Sequence, residues 1–328
     1  MSQLRTFLSG KIVKQTRRVR KRVSQMKRGG KPKVNWRWVA GLGLAIVFVV
    51  VAARAEGQES LDLDSASDAI PTQENTTIDF VAPQVFQAAG PDIASIQGTV
   101  TAFRNALGDP VNGNNAGPLT LGRREINWDG GVPPSQATTP PVNPFNTFLN
   151  TRGAQFTTPG IGLSQAPPSG GPQNGLVGLF NNPTYATTFT AFSQFRLFTP
   201  VGSNITDSFF FLPGSNGNTR ATVSGFGAVF TDVDKPDGSG PGTKRGNRGA
   251  STLVQFFGID GRLLFSSFVP AAPGDGGLSF FGIKFTDARI ASLRIIAGNV
   301  APGPNDDTTN DVVMMDDFIY GEPQPVLP

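Results

Sequence analysis

Between Thr188 and Tyr320 the chain is cut into eight short runs rich in Phe and β-branched residues, separated by clusters of Gly, Pro, Asn and Asp. The runs cover residues 188–198, 205–212, 221–231, 252–259, 262–269, 278–285, 290–297 and 311–320. Such runs match strands in length, and the turn residues between them fold the chain back, so they predict antiparallel pairing. Asp260-Gly261 separates two of them and is the strongest hairpin signal in the chain. The run 290–297 has helical spacing at Ile290 and Leu293, but its neighbours favour a strand. Eight runs in close succession predict an antiparallel β-sandwich or jelly roll.

Upstream the pattern differs. Ile93, Ile96, Val100, Phe103 and Leu107 recur at intervals of three and four, with Pro91 before them and Gly108 after. That spacing predicts a helix over Asp92–Leu107 with one buried face. Residues 108–185 are dense in Gly, Pro, Asn and Thr and exclude long helices and central strands. Long packed loops and short edge strands are expected there, anchored by Phe145, Phe148, Phe156, Ile161, Leu176, Leu179 and Phe180. The expected fold is therefore mainly β: an antiparallel β-sandwich or jelly roll, with one short helix near the start of the body and long Gly/Pro-rich loops.

Charge divides the chain. Residues 1–37 hold 13 Lys and Arg and no acid, whereas from Glu56 onward 14 basic residues face 24 acidic ones. The body is net negative and repels phosphate backbones, so nucleic acid is discounted as a partner. The basic run precedes the uncharged apolar stretch Trp38–Ala53 and then Ala53-Arg54-Ala55, a small-x-small cleavage pattern. Residues 1–55 thus look like a basic n-region with a signal peptide; the alternative is an uncleaved membrane anchor. The expected organisation continues with an acidic disordered spacer over 56–85, a single β-sandwich domain over 86–323 and a tail over 324–328. The expected location is secreted or in the cell envelope, with membrane contact only through the N-terminal segment.

The chain has neither Cys nor His. Disulfides, thiolate nucleophiles, imidazole metal ligands and Ser-His-Asp triads are excluded. No G-x-S-x-G elbow occurs, and the Gly-rich basic stretch 238–248 lacks the P-loop order. Carboxylates remain. Glu125 and Asp129 lie four apart and are a candidate glycosidase pair. Asp232 and Asp234 follow the run 221–231 in an oxygen-rich loop that resembles a calcium loop but departs from the EF-hand pattern. Asp306 and Asp307 form a second acidic loop. If the runs alternate in direction, loops 232–251, 270–277 and 298–310 emerge at one end. Asp232, Asp234, Asp306, Asp307 and Asp317 are then candidate calcium ligands, with salt bridges or solvated acidic turns as the alternative. Asp316 and Asp317 sit inside an apolar run, where alternation turns one of them inward. Trp128 is either a sugar-stacking platform or a core anchor.

The phrases Arg124-Glu125-Ile126-Asn127-Trp128-Asp129-Gly130, Phe226-Gly227-Ala228-Val229-Phe230-Thr231-Asp232-Val233-Asp234 and Asp316-Asp317-Phe318-Ile319-Tyr320-Gly321-Glu322-Pro323 resemble a family of uncharacterised exported bacterial proteins, over about residues 86–323. The resemblance implies export and no established activity. The strand carrying Asp-Asp before aromatic and aliphatic residues also resembles jelly-roll carbohydrate-binding modules, a likeness of fold. The expected function is a non-catalytic exported module that binds glycan or matrix, or serves envelope adhesion, with calcium as a candidate stabiliser. The alternatives are a carbohydrate-active hydrolase using a carboxylate pair and a purely structural surface protein.

Overall fold

A computed structural model describes residues 82–130, 133–170, 174–234, 252–304 and 310–326. The basic and apolar N-terminal segments, the acidic spacer as far as residue 81, the stretch 238–248, and Asp306 and Asp307 lie outside the described residues.

The fold is mainly β, built from two antiparallel sheets packed face to face. The larger sheet contains β1 (Gln84–Gly90), β2 (Arg123–Ile126), β4 (Gly162–Ala166), β5 (Leu197–Val201), β8 (Gly225–Thr231), β11 (Leu278–Lys284) and β13 (Met314–Gly321). Its spatial order is β1-β11-β8-β13-β5-β4, and β2 pairs with β13 beside that path. The smaller sheet runs β10 (Leu263–Phe268), β9 (Leu253–Phe257), β12 (Ser292–Ile296), β6 (Ile205–Phe210) and β3 (Ala154–Thr157). A separate pair joins β7 (Ala221–Thr222) to β14 (Gln324–Pro325), so the residues expected to begin a tail form a strand. The Asp260-Gly261 turn joins β9 to β10 as anticipated, with Gly261 at φ 76° and the Gly258 N–H donating to the Arg262 carbonyl.

Alternation places Phe226, Ala228 and Phe230 of β8, Phe281 and Ile283 of β11, and Phe318 and Tyr320 of β13 on the inner face of the larger sheet. Val254, Phe256, Leu293, Ile295, Phe210 and Phe156 meet them from the smaller sheet. The outer face of the larger sheet is covered too. Helix α1 (Ile93–Leu107) lays Ile96, Val100, Phe103 and Leu107 on Phe86, Val229, Leu278, Phe280 and Ile319. Short helices α3 (Leu176–Phe180) and α4 (Tyr185–Thr188) cover another part, where Leu197 and Met314 lie. Every residue of β8 and β13 is consequently buried. The smaller sheet alternates buried and half-exposed positions along β6 and β9, as a one-sided sheet should.

Helix α1 begins where the sequence indicates. Asp92 caps it, its Oδ1 accepting from the Ser95 N–H at 2.9 Å and the Ser95 hydroxyl at 2.7 Å. Ile93, the first residue of the periodic set, is exposed at 41%, so the buried stripe starts one turn later. The helix sits close to the sheet because Gly227 and Gly282, paired across β8 and β11, present no side chain to it. A Cβ on Gly227 would lie 2.8 Å from Phe103 Cε1 and 2.8 Å from Phe280 Cζ. The Phe103 ring occupies the space those glycines leave.

The run 188–198 departs from expectation. Its start belongs to α4 and its strand begins only at Leu197. The N–H groups of Phe192 and Ser193 bond the Asp316 carboxylate instead of a neighbouring strand. The end-clustering of loops does hold for their described parts. The Asp232 N–H donates to Gly277, the Ala272 N–H to Val233, the Gly298 N–H to the Thr252 hydroxyl and the Asn299 N–H to Asp311. No helix among the described residues is long and apolar enough to cross a membrane.

Phe103→Ala should lower unfolding free energy by about 3–5 kcal/mol, because the ring fills a site that Gly227 and Gly282 cannot refill. Urea unfolding measures it; a loss below about 1 kcal/mol would show that α1 is not seated through Phe103.

Candidate functional site

One edge of β13 pairs with β8 along most of its length. The other edge changes partner: Met315 pairs with Phe198 of β5, whereas Phe318–Gly321 pair with Arg123–Ile126 of β2. At that change the ladder breaks, and the register to β8 slips between Met315 and Phe318. The slip is a bulge, and it holds Asp316 and Asp317. Met315 and Phe318 on either side both face the inner core. Strict alternation across the pair therefore fails, and both carboxylates are buried, at 0% and 4% exposure, where alternation predicted one.

Local donors make this tolerable. Asp316 Oδ2 accepts from the N–H of Phe192 at 2.6 Å and of Ser193 at 3.3 Å. Its Oδ1 accepts from the Ser193 hydroxyl at 3.0 Å and the Asp317 N–H at 2.8 Å. Its main-chain carbonyl accepts from Trp128 Nε1 at 3.1 Å. Trp128 is fully buried, stacked on Phe198 at 3.7 Å and edge-on to Phe145, Phe148, Phe156 and Phe318. The sugar-platform role is thus corrected: the indole has no face open to a ligand and anchors the bulge. Its φ of 63° turns the chain sharply after β2.

Asp317 points to charged neighbours. Arg104, in the last turn of α1, gives its Nη2 both to Glu125 Oε2 at 2.8 Å and to Asp317 Oδ2 at 3.2 Å. Glu125 also accepts from Arg123 Nε at 2.7 Å, and Arg123 reaches Asp109 at 2.5 Å. The other oxygen, Asp317 Oδ1, is buried and has no hydrogen-bond partner. Behind this group Arg124 and Glu322 form a fully buried two-bond pair at 2.6 and 2.7 Å, and Arg124 Nη1 donates to the carbonyls of Gly113, Asn115 and Thr151. That pair ties the loop before β2 to the end of β13.

The result is an open pocket of about 380 Å³ lined by Arg104, Val111, Gly113, Glu125, Asn127, Arg152, Ser193 and Asp317. Burial, then the neighbouring Asp317 charge, pushes the Asp316 carboxyl well above its usual range against its four donors. Burial likewise pushes Asp317 up, opposed by the Ser193 hydroxyl and the Arg104 charge and aided by Glu125. The pocket therefore offers acidic oxygens, guanidinium and amide N–H groups and a hydroxyl, with no aromatic ring among its lining.

The structure sorts the sequence candidates. Glu125 and Asp317 meet through Arg104. Asp129 does not join them: it lies 3.9 Å from Arg196, and burial raises its carboxyl against that charge. The turn at Trp128 separates it from Glu125, so Glu125 and Asp129 share no partner among the described residues. Asp232 is buried at the end of β8, and Asp234 Oδ1 accepts from the Gly274 N–H at 3.1 Å, closing a turn. Among the described residues no three acidic side chains converge as metal ligands. Arg104, Arg152, Asn127 and Ser193 carried no signal in the sequence beyond the motif phrase containing Asn127. Comparison with family models, with curated proteins and with solved structures finds no match.

Asp316→Asn should cost about 1–3 kcal/mol, because an amide nitrogen cannot accept from the donors on whichever side it occupies. Asp317→Asn should cost clearly less, since its free oxygen leaves room for the amide. Equal melting shifts would refute the distinction. Both carboxyls have folded-state affinities for protons raised above the unfolded value of 3.8. Folded protein then holds more protons than unfolded, so stability should fall as pH climbs above about 4 and flatten once both groups ionise. Denaturation across pH 4–8 should show that slope in the parent and a shallower one in Asp317→Asn.

Proposed function

We propose that this protein is an exported, non-catalytic β-sandwich module that binds a glycan in the pocket beside β13. The observation that carries it is the Arg104 clamp between Glu125 and Asp317, set in the wall of an open polar pocket with Asn127, Arg152 and Ser193. Sugar hydroxyls both donate and accept, so a wall of carboxylate, guanidinium, amide and hydroxyl groups suits them. Export rests on the basic run and apolar segment before residue 56. A glycan array probed with the purified protein is the test. Retention of a defined set, weakened by Asn127→Ala, is expected. Silence across the array would favour a purely structural surface role.

A carbohydrate-active hydrolase is the second reading, because the raised Asp317 carboxyl and Glu125 share one guanidinium nitrogen. Against it stands that same guanidinium, which occupies the space between the two acids. Release of sugar fragments, abolished by Glu125→Gln, would establish the enzyme.

A further inference from the structure

Arg152 is the odd cation of the pocket. Arg104, Arg123 and Arg124 each pair with an acid: Glu125 and Asp317, Asp109 and Glu125, and Glu322 respectively. Arg152, the last residue of α2 (Leu149–Arg152), has no ion pair among the described residues. It is nonetheless fixed. Its Nε donates to Asn114 Oδ1 at 3.2 Å, its Nη1 donates to the Glu125 carbonyl, and its guanidinium lies 5.4 Å from the centre of the Phe148 ring. Its own carbonyl accepts from the Tyr320 hydroxyl at 2.9 Å. Holding a half-buried guanidinium without a counter-ion is costly, and burial pulls its proton affinity down. The Glu125 carboxylate, on the strand whose backbone Arg152 bonds, is already shared between Arg104 and Arg123.

We propose that the pocket takes an acidic sugar, a uronic-acid residue, whose carboxylate pairs with Arg152 while a neighbouring hydroxyl meets the Asn127 amide or the Ser193 hydroxyl. This rests on the glycan-binding reading and narrows it. A planar guanidinium matches a carboxylate, and its fixed orientation means little freedom is lost on binding. The exposed Asn127 amide and the part-exposed Ser193 hydroxyl line the same pocket and are a second, independent source of ligand contacts.

Calorimetry with trigalacturonate, its methyl ester and a neutral trisaccharide of the same linkage provides the test, using the full chain. The free acid should bind at least about tenfold more tightly than the ester, since esterification removes the charge and keeps the shape. Arg152→Gln should erase that preference while retaining the melting temperature within a few degrees. Should that variant fail to fold, the acid-to-ester comparison on the unaltered chain decides alone. Equal binding of acid and ester, or preference for the neutral sugar, overturns the acidic specificity and leaves glycan binding standing. Absence of binding by all three, with a silent glycan array, overturns both.

Discussion

Two adjacent carboxylates in the middle of a doubly covered sheet are the constraint around which this fold is arranged. A strand covered on both faces can keep Asp316 and Asp317 only if donors reach them from other segments. The carboxylate donors from other segments are the Phe192–Ser193 backbone and Ser193 hydroxyl ahead of β5 and the Arg104 side chain on α1, while the Trp128 indole after β2 holds the Asp316 main-chain carbonyl. Each supplier is positioned by its own packing. Trp128 is held by five aromatic neighbours, Arg104 by the helix that Phe103 seats on glycine, and Phe192 by packing against the apolar cluster beneath that helix. The bulge, the change of partner along β13 and the pocket are one event seen from three sides.

The three phrases around Trp128, Phe226 and Phe318 become neighbours in space. The strand of Arg124-Glu125-Ile126 pairs with that of Phe318-Ile319-Tyr320, which pairs on its other edge with that of Phe226-Gly227-Ala228. Their composition follows from that position. Phe and Tyr on one face fill the space between sheets, while Gly227 on the other admits the helix. Arg124 and Glu322 belong to two of the three phrases and neutralise each other out of contact with water. Breaking that pair from one side would strand a buried charge.

Much of the architecture was legible from short-range pattern. The spacing from Ile96 to Leu107 and the Asp92 cap define α1, and the Asp260-Gly261 hairpin and most of the later strands follow from turn chemistry and alternation. The site was far less legible. Period-two reasoning assumes an unbroken ladder, so it could not seat both Asp316 and Asp317 inside. The pocket draws on α1, β2, α2, the loop before β5 and β13, and no local window joins Arg104 to Asp317 across 213 positions. Trp128 illustrates a different limit: a lone indole reads alike as platform or anchor until its neighbours are known. The sequence spacing pairs Glu125 with Asp129, but the fold joins Glu125 to Asp317 through Arg104, because the turn at Trp128 carries Asp129 towards Arg196.

Chain order adds a consequence for how this molecule comes into being. β13 follows every other strand of the two sheets, yet it is hydrogen-bonded to β8, β5 and β2. β1, the first strand, finds its partner in β11, with Gln84 opposite Lys284. The larger sheet therefore cannot close until β13 has been made; its first strand waits for β11 and its centre arrives last. Such long-range pairing makes for slow, late assembly, leaving the nascent chain open until nearly all of the sandwich has been synthesised.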